Sequence, residues 1–181
     1  KREGRDVIPK LSTVLITHRH HDHAGGNKEL AENNPKLRVV GGYKERVPHA
    51  NVLVKQNDVL GLGKRTKIRA LETYGHTVGH ICFHIYGVGG VDEDKKKKKK
   101  KSTSSPSNST SNTGRKLHTS TTRTENNDKC GVVFTGDALF ICGIGNLFEG
   151  GEKDWIDGMR HVAALPVETL MFPGHEYTEV F

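Results

Sequence analysis

The sequence predicts an α/β fold in which helices and sheets pack in layers. Short runs of β-branched and aliphatic residues alternate along the chain with segments of helical spacing, and the two types occur in mixed order. The 181 residues suit one domain or slightly more. Hydrophobic residues make up only 33% of the chain, but one long polar segment accounts for this low value, so the flanking parts can bury a core.

Five strands and one short helix are predicted before that polar segment. The strand segments are rich in valine, isoleucine and leucine, and they are residues 12–17 (STVLIT), 37–42 (LRVVGG), 51–55 (NVLVK), 66–73 (TKIRALET) and 81–87 (ICFHIYG). We expect a glycine turn between the second and third strands. The alternation in the fifth strand predicts that only one of its faces is buried. Helix formers follow Asn27, and Pro35 should end that helix.

After the polar segment, residues 131–143 (GVVFTGDALFICG) predict a strand, a tight turn and a second apolar segment. A helix follows, whose predicted core-facing residues at helical spacing are Trp155, Ile156, Met159, Val162 and Ala163. The last predicted strand breaks at Pro173 and Gly174. Cys82 and Cys142 are expected to be small core residues.

A polar segment, residues 91–129, interrupts the single predicted domain of residues 1–181. It contains seven consecutive lysines at 95–101 and then mostly serine, threonine and asparagine, so it cannot bury enough apolar surface to offset its ordering entropy. We therefore predict a disordered insertion. The seven lysines account for the entire net charge of +7, so we expect no basic face on the rest of the fold. We expect no nucleic-acid partner unless the lysine tract itself binds one.

The three scattered cysteines favour a reducing compartment, and we expect a cytoplasmic location. No apolar run approaches the roughly 20 residues of a membrane helix, so we expect no membrane partner. The chain starts with KREGRDVIPK rather than with Met, which is typical of the interior of a protein, and a targeting segment could lie upstream.

The loop of residues 18–23, HRHHDH, crowds ligand-type side chains together. Neighbouring imidazoles repel one another when protonated, whereas a metal ion takes their lone pairs and keeps them neutral. His18 directly follows a predicted strand, and His76, Asp137 and His175 each follow a strand and a glycine. Because glycine lets the backbone turn sharply, we expect four strands to deliver these side chains to one sheet edge.

Seven residues are candidate metal ligands: His18, His20, Asp22, His23, His76, Asp137 and His175. A catalytic zinc ion takes about three protein ligands and a water, so this set predicts two divalent ions that share one aspartate. Two carboxylates offset only part of the charge of two such ions, which favours a bridging hydroxide as the nucleophile. We expect His80 and His84 to be structural hydrogen-bonding residues and His21 to point away.

Five motifs carry a family resemblance: THRHHDH, YGHTVGHICF, VFTGDALF, GIGNLFEGG and FPGHEYT, in this order. The first resembles the T-H-x-H-x-D-H signature of the metallo-β-lactamase superfamily, and together they resemble glyoxalase II, the hydroxyacylglutathione hydrolases. This resemblance implies an αββα sandwich whose N-terminal strands and C-terminal helical domain would lie outside these 181 residues. It also implies two metal ions, zinc first and iron or manganese as alternatives.

The resemblance assigns a role to each candidate residue. His18, His20 and His76 would bind the first metal, Asp137 would bridge to the second, and the remaining ligands of the second would be Asp22, His23 and His175. The thiol carrier would be contacted by Asn146, Phe148 and Tyr177. The family has a basic residue where Asn146 stands, and Phe148 has no hydroxyl.

The implied reaction converts an S-(2-hydroxyacyl)glutathione and water to a 2-hydroxy acid, such as D-lactate, and glutathione. This is the second step of methylglyoxal detoxification. Two alternatives stay open: a persulfide dioxygenase of the same fold with one iron, and a non-catalytic binding module recruited through the lysine tract. A metal count distinguishes the first alternative, and hydrolysis assays on the full-length protein distinguish the second.

Overall fold

A computed structural model describes residues 10–88 and 131–179 of the chain. The predicted insertion and its lysine tract lie outside these described residues. The elements in chain order are β1 Thr13–Leu15, α1 His21–Ala24, α2 Asn27–Asn33, β2 Arg38–Gly42, β3 Val52–Val54, β4 Val59–Leu62, β5 Thr66–Glu72, β6 Ile81–Gly87, β7 Gly131–Gly136, α3 Glu152–Ala163 and β8 Leu170–Pro173.

The strands form two sheets. The first has the order β1-β2-β3 and is parallel, and the second has the order β4-β5-β6-β7-β8. In the second sheet β4 to β7 pair antiparallel, whereas β8 pairs parallel to β7. Because β5 and β7 both run antiparallel to β6, the strands β5, β7 and β8 point the same way. Their C-terminal ends therefore meet at one edge of the sheet.

The two sheets pack face to face around the main apolar core. Val40 and Val54 from the first sheet lie in one buried cluster with Ile68 and Phe83 from the second. On the outer face of the first sheet, Ala24 of α1 packs in a cluster with Val39. On the outer face of the second sheet, α3 contributes partly buried Met159 and Val162, which pack against Leu71, Cys82 and Val133. These four layers confirm the expected αββα sandwich.

The expected glycine turn between the second and third strands is wrong. Gly41 and Gly42 lie inside β2, and β2 pairs parallel with β3, so the chain crosses over through residues 43–51. The glycines serve close packing instead. A Cβ on Gly41 would lie 2.7 Å from the side chain of Val47, and a Cβ on Gly42 would lie 2.3 Å from the carbonyl oxygen of Gly79.

The expectations for β6, the last helix and one cysteine also need correction. The strand β6 is buried on both faces rather than one, because α3 covers the outer face and Cys82 is fully buried beneath it. In α3 the buried stripe is narrower than predicted, and Ile156 is 46% exposed, with Ala163 exposed as well. Cys142 is exposed and is not a core residue. No pattern in the sequence predicted α1 or β4.

In the part of the chain that the structure describes, no helix has both the length and the apolar character needed to cross a bilayer.

Candidate metal centre

The seven candidate ligands meet where the two sheets adjoin. His76, Asp137 and His175 follow the C-terminal ends of β5, β7 and β8 at one edge of the five-stranded sheet. His18 follows β1, which belongs to the other sheet, so the expectation of a single sheet edge is wrong. A main-chain hydrogen bond joins the two sides, because the N–H of Ile81 donates to the carbonyl of Thr17 at 2.9 Å.

The turn before Asp137 requires glycine. Gly136 has a φ of +51°, which favours a residue without a side chain. A Cβ at this position would lie 2.6 Å from Thr17 Oγ1 and 2.7 Å from His80 Nε2. The close approach of these groups aims the next residue, Asp137, into the space between the histidines.

The first group of ligands, the three-histidine cluster, consists of His18, His20 and His76. His20 Nδ1 lies 3.0 Å from His18 Nε2 and 3.1 Å from His76 Nε2. The His18 side chain is fully buried, and the His76 side chain is only 5% exposed. This cluster is the deeper part of the centre.

The second group, the Asp–His cluster, consists of Asp22, His23 and His175. His23 Nε2 lies 3.2 Å from both His175 Nε2 and Asp22 Oδ2, and His175 Nε2 lies 3.1 Å from Asp22 Oδ2. Asp22 and His23 belong to α1, whose first turn begins directly after His20. The Asp22 side chain is 57% exposed, so this cluster lies nearer to solvent.

Asp137 lies between the two clusters. Its Oδ1 is 3.3 Å from His23 Nε2, and its Oδ2 is 3.5 Å from both His76 Nε2 and His175 Nε2. The same Oδ2 is 3.9 Å from His18 Nε2. One buried carboxylate therefore faces nitrogen atoms of both clusters.

The spacing of these atoms fits divalent metal ions. Two nitrogen ligands of a tetrahedral ion, each about 2.0 Å from the ion, are about 3.3 Å apart. The nitrogen pairs within the two clusters are 3.0–3.2 Å apart.

The hydrogen bond of His76 fixes which of its nitrogens can bind a metal. His76 Nδ1 lies 2.8 Å from the main-chain carbonyl of Asn146, which only accepts, so Nδ1 carries the proton and Nε2 presents a lone pair. Asp137 Oδ1 is buried and faces His23 Nε2 at 3.3 Å, and a cation between these two atoms would bind both.

The electrostatics of the centre favour neutral rings beside one charged carboxylate. Burial and the neighbouring His80 and His23 lower the pKa of His18 to about 2, and burial also lowers the pKa of His76. His23 differs, because its hydrogen bond with Asp137 raises its pKa. Burial alone would raise the pKa of Asp137, but the contact with His23 and the nearby imidazoles lower it overall. Neutral imidazole and ionised carboxylate are the forms that bind metals.

Two aromatic residues predicted to contact the substrate flank the two clusters. The ring of Phe148 lies 5.9 Å from the ring of His20 and 5.3 Å from that of His76, and Phe148 is 63% exposed. The ring of Tyr177 stacks on that of His175 with centroids 5.1 Å apart. Asn146 is exposed, and its main-chain carbonyl supports His76. These three residues therefore adjoin the ligand clusters.

His80, His84 and His21 lie outside the ligand set. His80 is fully buried and accepts a hydrogen bond from the N–H of Asp137 at 3.2 Å, as a structural residue should. His84 is also fully buried and stacks on Tyr86 with ring centroids 5.0 Å apart. His21 is exposed and lines a separate surface pocket that includes Lys28.

Sequence reasoning missed a buried acid beside the centre. Glu45 is fully buried and accepts hydrogen bonds from the main-chain N–H groups of Arg19 and Gly79, each at 2.8 Å. The segment GGYKERV, which contains it, shows only charged and polar letters around position 45 and gives no periodic signal of burial. The nearest available signal was the position of this acid three residues after a predicted strand.

Comparison with known proteins agrees with this architecture. Residues 7–91 match the metallo-beta-lactamase superfamily. A hydroxyacylglutathione hydrolase from Prochlorococcus marinus (strain NATL1A) is 30% identical over 171 residues, which are 93% of this chain and 53% of that protein. A cytoplasmic hydroxyacylglutathione hydrolase from Arabidopsis thaliana is 33% identical over 170 residues, 93% of this chain and 51% of that protein. The chain thus spans about half the length of the curated relatives it matches.

Solved structures share the fold. The crystal structure of ETHE1 from Myxococcus xanthus superposes with a TM-score of 0.60 at 27% identity, over 92% of this chain and 55% of that one. A metallo-beta-lactamase from Staphylococcus aureus superposes with a TM-score of 0.59 at 21% identity, over 94% of this chain and 42% of that one, a likeness in fold alone.

Proposed function

We propose that this chain is the catalytic part of a binuclear metal-dependent thioester hydrolase of the metallo-β-lactamase superfamily, the family that residues 7–91 match. The substrate would be an S-(2-hydroxyacyl)glutathione, and the products would be a 2-hydroxy acid such as D-lactate and glutathione. The observation that carries this proposal is the position of Asp137, whose two oxygens face nitrogens of two separate three-ligand clusters. The names of the curated relatives support the choice of substrate.

The seven candidate ligands would bind two divalent ions. We propose zinc, with iron or manganese as alternatives. The three-histidine cluster would hold one ion, the Asp–His cluster would hold the other, and Asp137 would bridge them. When bound, the two ions would polarise the thioester carbonyl and lower the pKa of a water molecule so that it can attack at neutral pH.

The protein's own groups prepare the centre for this reaction. The carbonyl of Asn146 fixes the tautomer of His76, and the N–H of Asp137 is anchored on His80, so both side chains are oriented before substrate arrives. Phe148 and Tyr177 lie on the rings of the two clusters and would exclude water from the substrate's two ends. The leaving thiolate has a conjugate-acid pKa of only about 8.5, so its departure needs no proton from the protein.

One observation favours a second candidate, the mononuclear iron dioxygenase that acts on a persulfide. His18, His23 and Asp137 also form a group whose ligand atoms lie within 4.8 Å of one another. Two histidines and one carboxylate are the ligand set of non-haem iron oxygenases. The two candidates differ in metal number, since the hydrolase needs two ions and the dioxygenase needs one.

The test uses the full-length protein. We expect about two divalent ions per chain by elemental analysis and steady loss of the thioester absorbance of S-lactoylglutathione, with free thiol released in equal amount. One iron per chain together with oxygen uptake on a glutathione persulfide would overturn the hydrolase in favour of the dioxygenase. Two bound ions without any thioester cleavage would contradict the substrate class.

A further inference from the structure

The buried carboxylate of Glu45 links two of the loops that carry candidate ligands. Its Oε1 accepts from the N–H of Arg19, which lies between His18 and His20 in the sequence. Its Oε2 accepts from the N–H of Gly79, in the loop that starts from His76. Glu45 is therefore a cross-link between the loop after β1 and the loop after β5, and both hydrogen bonds are 2.8 Å long.

The guanidinium of Arg19 extends this link to a third loop. It contacts Glu45 through Nη1 at 3.4 Å and forms an ion pair with Glu149 through Nη2. Glu149 in turn accepts from the N–H of Val78 at 2.9 Å, and its own N–H donates to the carbonyl of Gly75 at 3.2 Å. The three loops thus share one carboxylate–guanidinium–carboxylate chain.

The packing around Glu45 leaves little room for movement. A Cβ on Gly79 would lie 2.4 Å from the main-chain nitrogen of Glu45, so the loop after β5 rests directly on the main chain at this residue. A fully buried carboxylate is costly unless it is hydrogen-bonded and paired. Here two main-chain N–H groups and one guanidinium contact the carboxylate of Glu45. These contacts lower the free-energy cost of burying the carboxylate as long as the loops that carry them keep their positions.

We infer that Glu45, Arg19 and Glu149 form a positioning network for the three-histidine cluster and not for the Asp–His cluster. This inference rests on the proposed function, because it presupposes metal binding. The network attaches at Arg19, between His18 and His20, and at Val78 and Gly79, which follow His76. Asp22 and His23 lie in α1 instead, and His175 follows β8. In the part of the chain that the structure describes, none of its hydrogen bonds or ion pairs reaches Asp22, His23 or His175.

The chemistry of the network decides which variants test it. In Glu45→Gln the amide nitrogen must face one of two N–H donors, which disrupts the cross-link while keeping its shape. Arg19→Lys keeps the charge but loses the planar fork that reaches both carboxylates. Glu149→Gln removes one charge at a side chain that is 32% exposed, so it should not impair folding. Asp157→Asn breaks the surface pairs with Lys153 and Arg160 and is the matched control.

The experiment measures each cluster separately in the full-length protein. The metal-free protein is loaded with cadmium, and the two cadmium NMR signals are assigned by their loss in His20→Ala and in His175→Ala. We expect each network variant to weaken binding at the three-histidine cluster by about 10–100-fold, as is typical for groups that orient ligands, and to leave the Asp–His cluster within about twofold. Asp157→Asn should change neither.

Equal weakening of both clusters, or no weakening in any network variant, would overturn the inference. If Glu45→Gln does not fold, as judged by circular dichroism, Glu149→Gln and Arg19→Lys carry the comparison. A wild-type protein that binds one ion, at the three-histidine cluster, would contradict the binuclear function and leave this test intact. A wild-type protein that binds no ion in that cluster would overturn both.

Discussion

His80 holds Asp137 through its main chain, because the N–H of Asp137 donates to His80 Nε2 at 3.2 Å. On the other side of the ring, Nδ1 lies 2.8 Å from Thr73 Oγ1. Since Nε2 must accept, the proton of the neutral ring sits on Nδ1, which donates to Thr73. Protonation of Nε2 would place a donor against a donor and would leave a charge in a fully buried position.

The metal-free protein should therefore lose stability as the pH falls below about 6.5. Burial, with the neighbouring histidines, lowers the pKa of His80 from 6.5 to about 3, so below pH 6.5 the unfolded chain binds a proton that the folded chain does not. The contribution of His80 is thus present above pH 6.5 and is lost progressively down to pH 3. At pH 5 the loss amounts to about 2 kcal/mol of unfolding free energy.

The measurement is urea unfolding of the metal-free protein at pH 7 and pH 5. The matched variant is His80→Gln, whose amide oxygen can still accept from Asp137 while its group does not titrate. The variant should be less stable than the wild type at pH 7 but should lose about 2 kcal/mol less on acidification. Equal losses in the two proteins would show that His80 is not the responsible group.

Asp137→Asn should weaken both proposed metal sites and abolish the proposed hydrolysis. Asparagine keeps the shape of the side chain but removes the charge that the two clusters share. We expect losses in affinity above the roughly 10–100-fold that is typical of residues outside the ligand set. Elemental analysis after dialysis against the free metal gives the occupancy, with Asp157→Asn as the surface control. Retention of two tightly bound ions in the variant would rule out the bridging role.

A chelator should first remove the ion that we propose for the Asp–His cluster. The Asp22 and His175 side chains are 57% and 28% exposed, whereas those of His18 and His76 are 0% and 5% exposed. A chelator that contacts a bound ion speeds its release, so the more exposed ion should be removed faster. Elemental analysis of samples desalted at intervals should reveal a one-ion species. Release of both ions at one rate would contradict the difference in accessibility.

The sequence predicted most of the strands and which histidines and aspartates come together, because both depend on local patterns. β-Branched residues mark β1, β5 and β7, and the apolar run LMFP marks β8. The motif THRHHDH and the glycines before His76, Asp137 and His175 mark the cluster of candidate ligands. The layer order followed from the family resemblance. Periodicity did not predict strand direction. The predicted turn at the glycines of β2 is wrong because these glycines allow close packing against Val47 and Gly79, which are distant in the sequence.

Glu45 shows why the rest was not predictable. Its partners Arg19 and Gly79 are 26 and 34 residues away in the sequence, so no local window contains the hydrogen bonds that stabilise a buried carboxylate. The burial of β6 on both faces has the same origin. It depends on α3, which packs onto the sheet and lies beyond the insertion in the sequence.

Shortening the insertion should leave the fold and the metal content intact. Tyr86 of β6 pairs directly with Gly131 of β7 in an antiparallel register, so a short turn can join the two strands. Replacing residues 92–129 by a Gly/Ser turn should raise the unfolding free energy by at most about 2 kcal/mol, since each halving of a loop saves only about 0.6 kcal/mol. Urea unfolding and elemental analysis test this, and loss of folding would show that the segment is structural.

Asn146→Lys should improve the use of S-lactoylglutathione by the full-length protein. Position 146 adjoins the three-histidine cluster, since its carbonyl accepts from His76 Nδ1, and Phe148 packs on the same imidazole. A lysine there would offer a charge-assisted hydrogen bond to the anionic carrier, which contributes roughly 1.5–3 kcal/mol and lowers KM about tenfold or more. The leaving-group chemistry is unchanged, so kcat should change less.

The control is Asn146→Gln, which keeps the neutral amide and the main-chain carbonyl that supports His76. Steady-state kinetics on S-lactoylglutathione should give a lower KM for the lysine variant alone. The gain should shrink as the salt concentration rises, because added ions screen an exposed pair. A parent protein that already has a low-micromolar KM, with no gain from the lysine, would mean that position 146 does not contact the carrier thiol. The departure from the family at this position would then carry no information about the substrate.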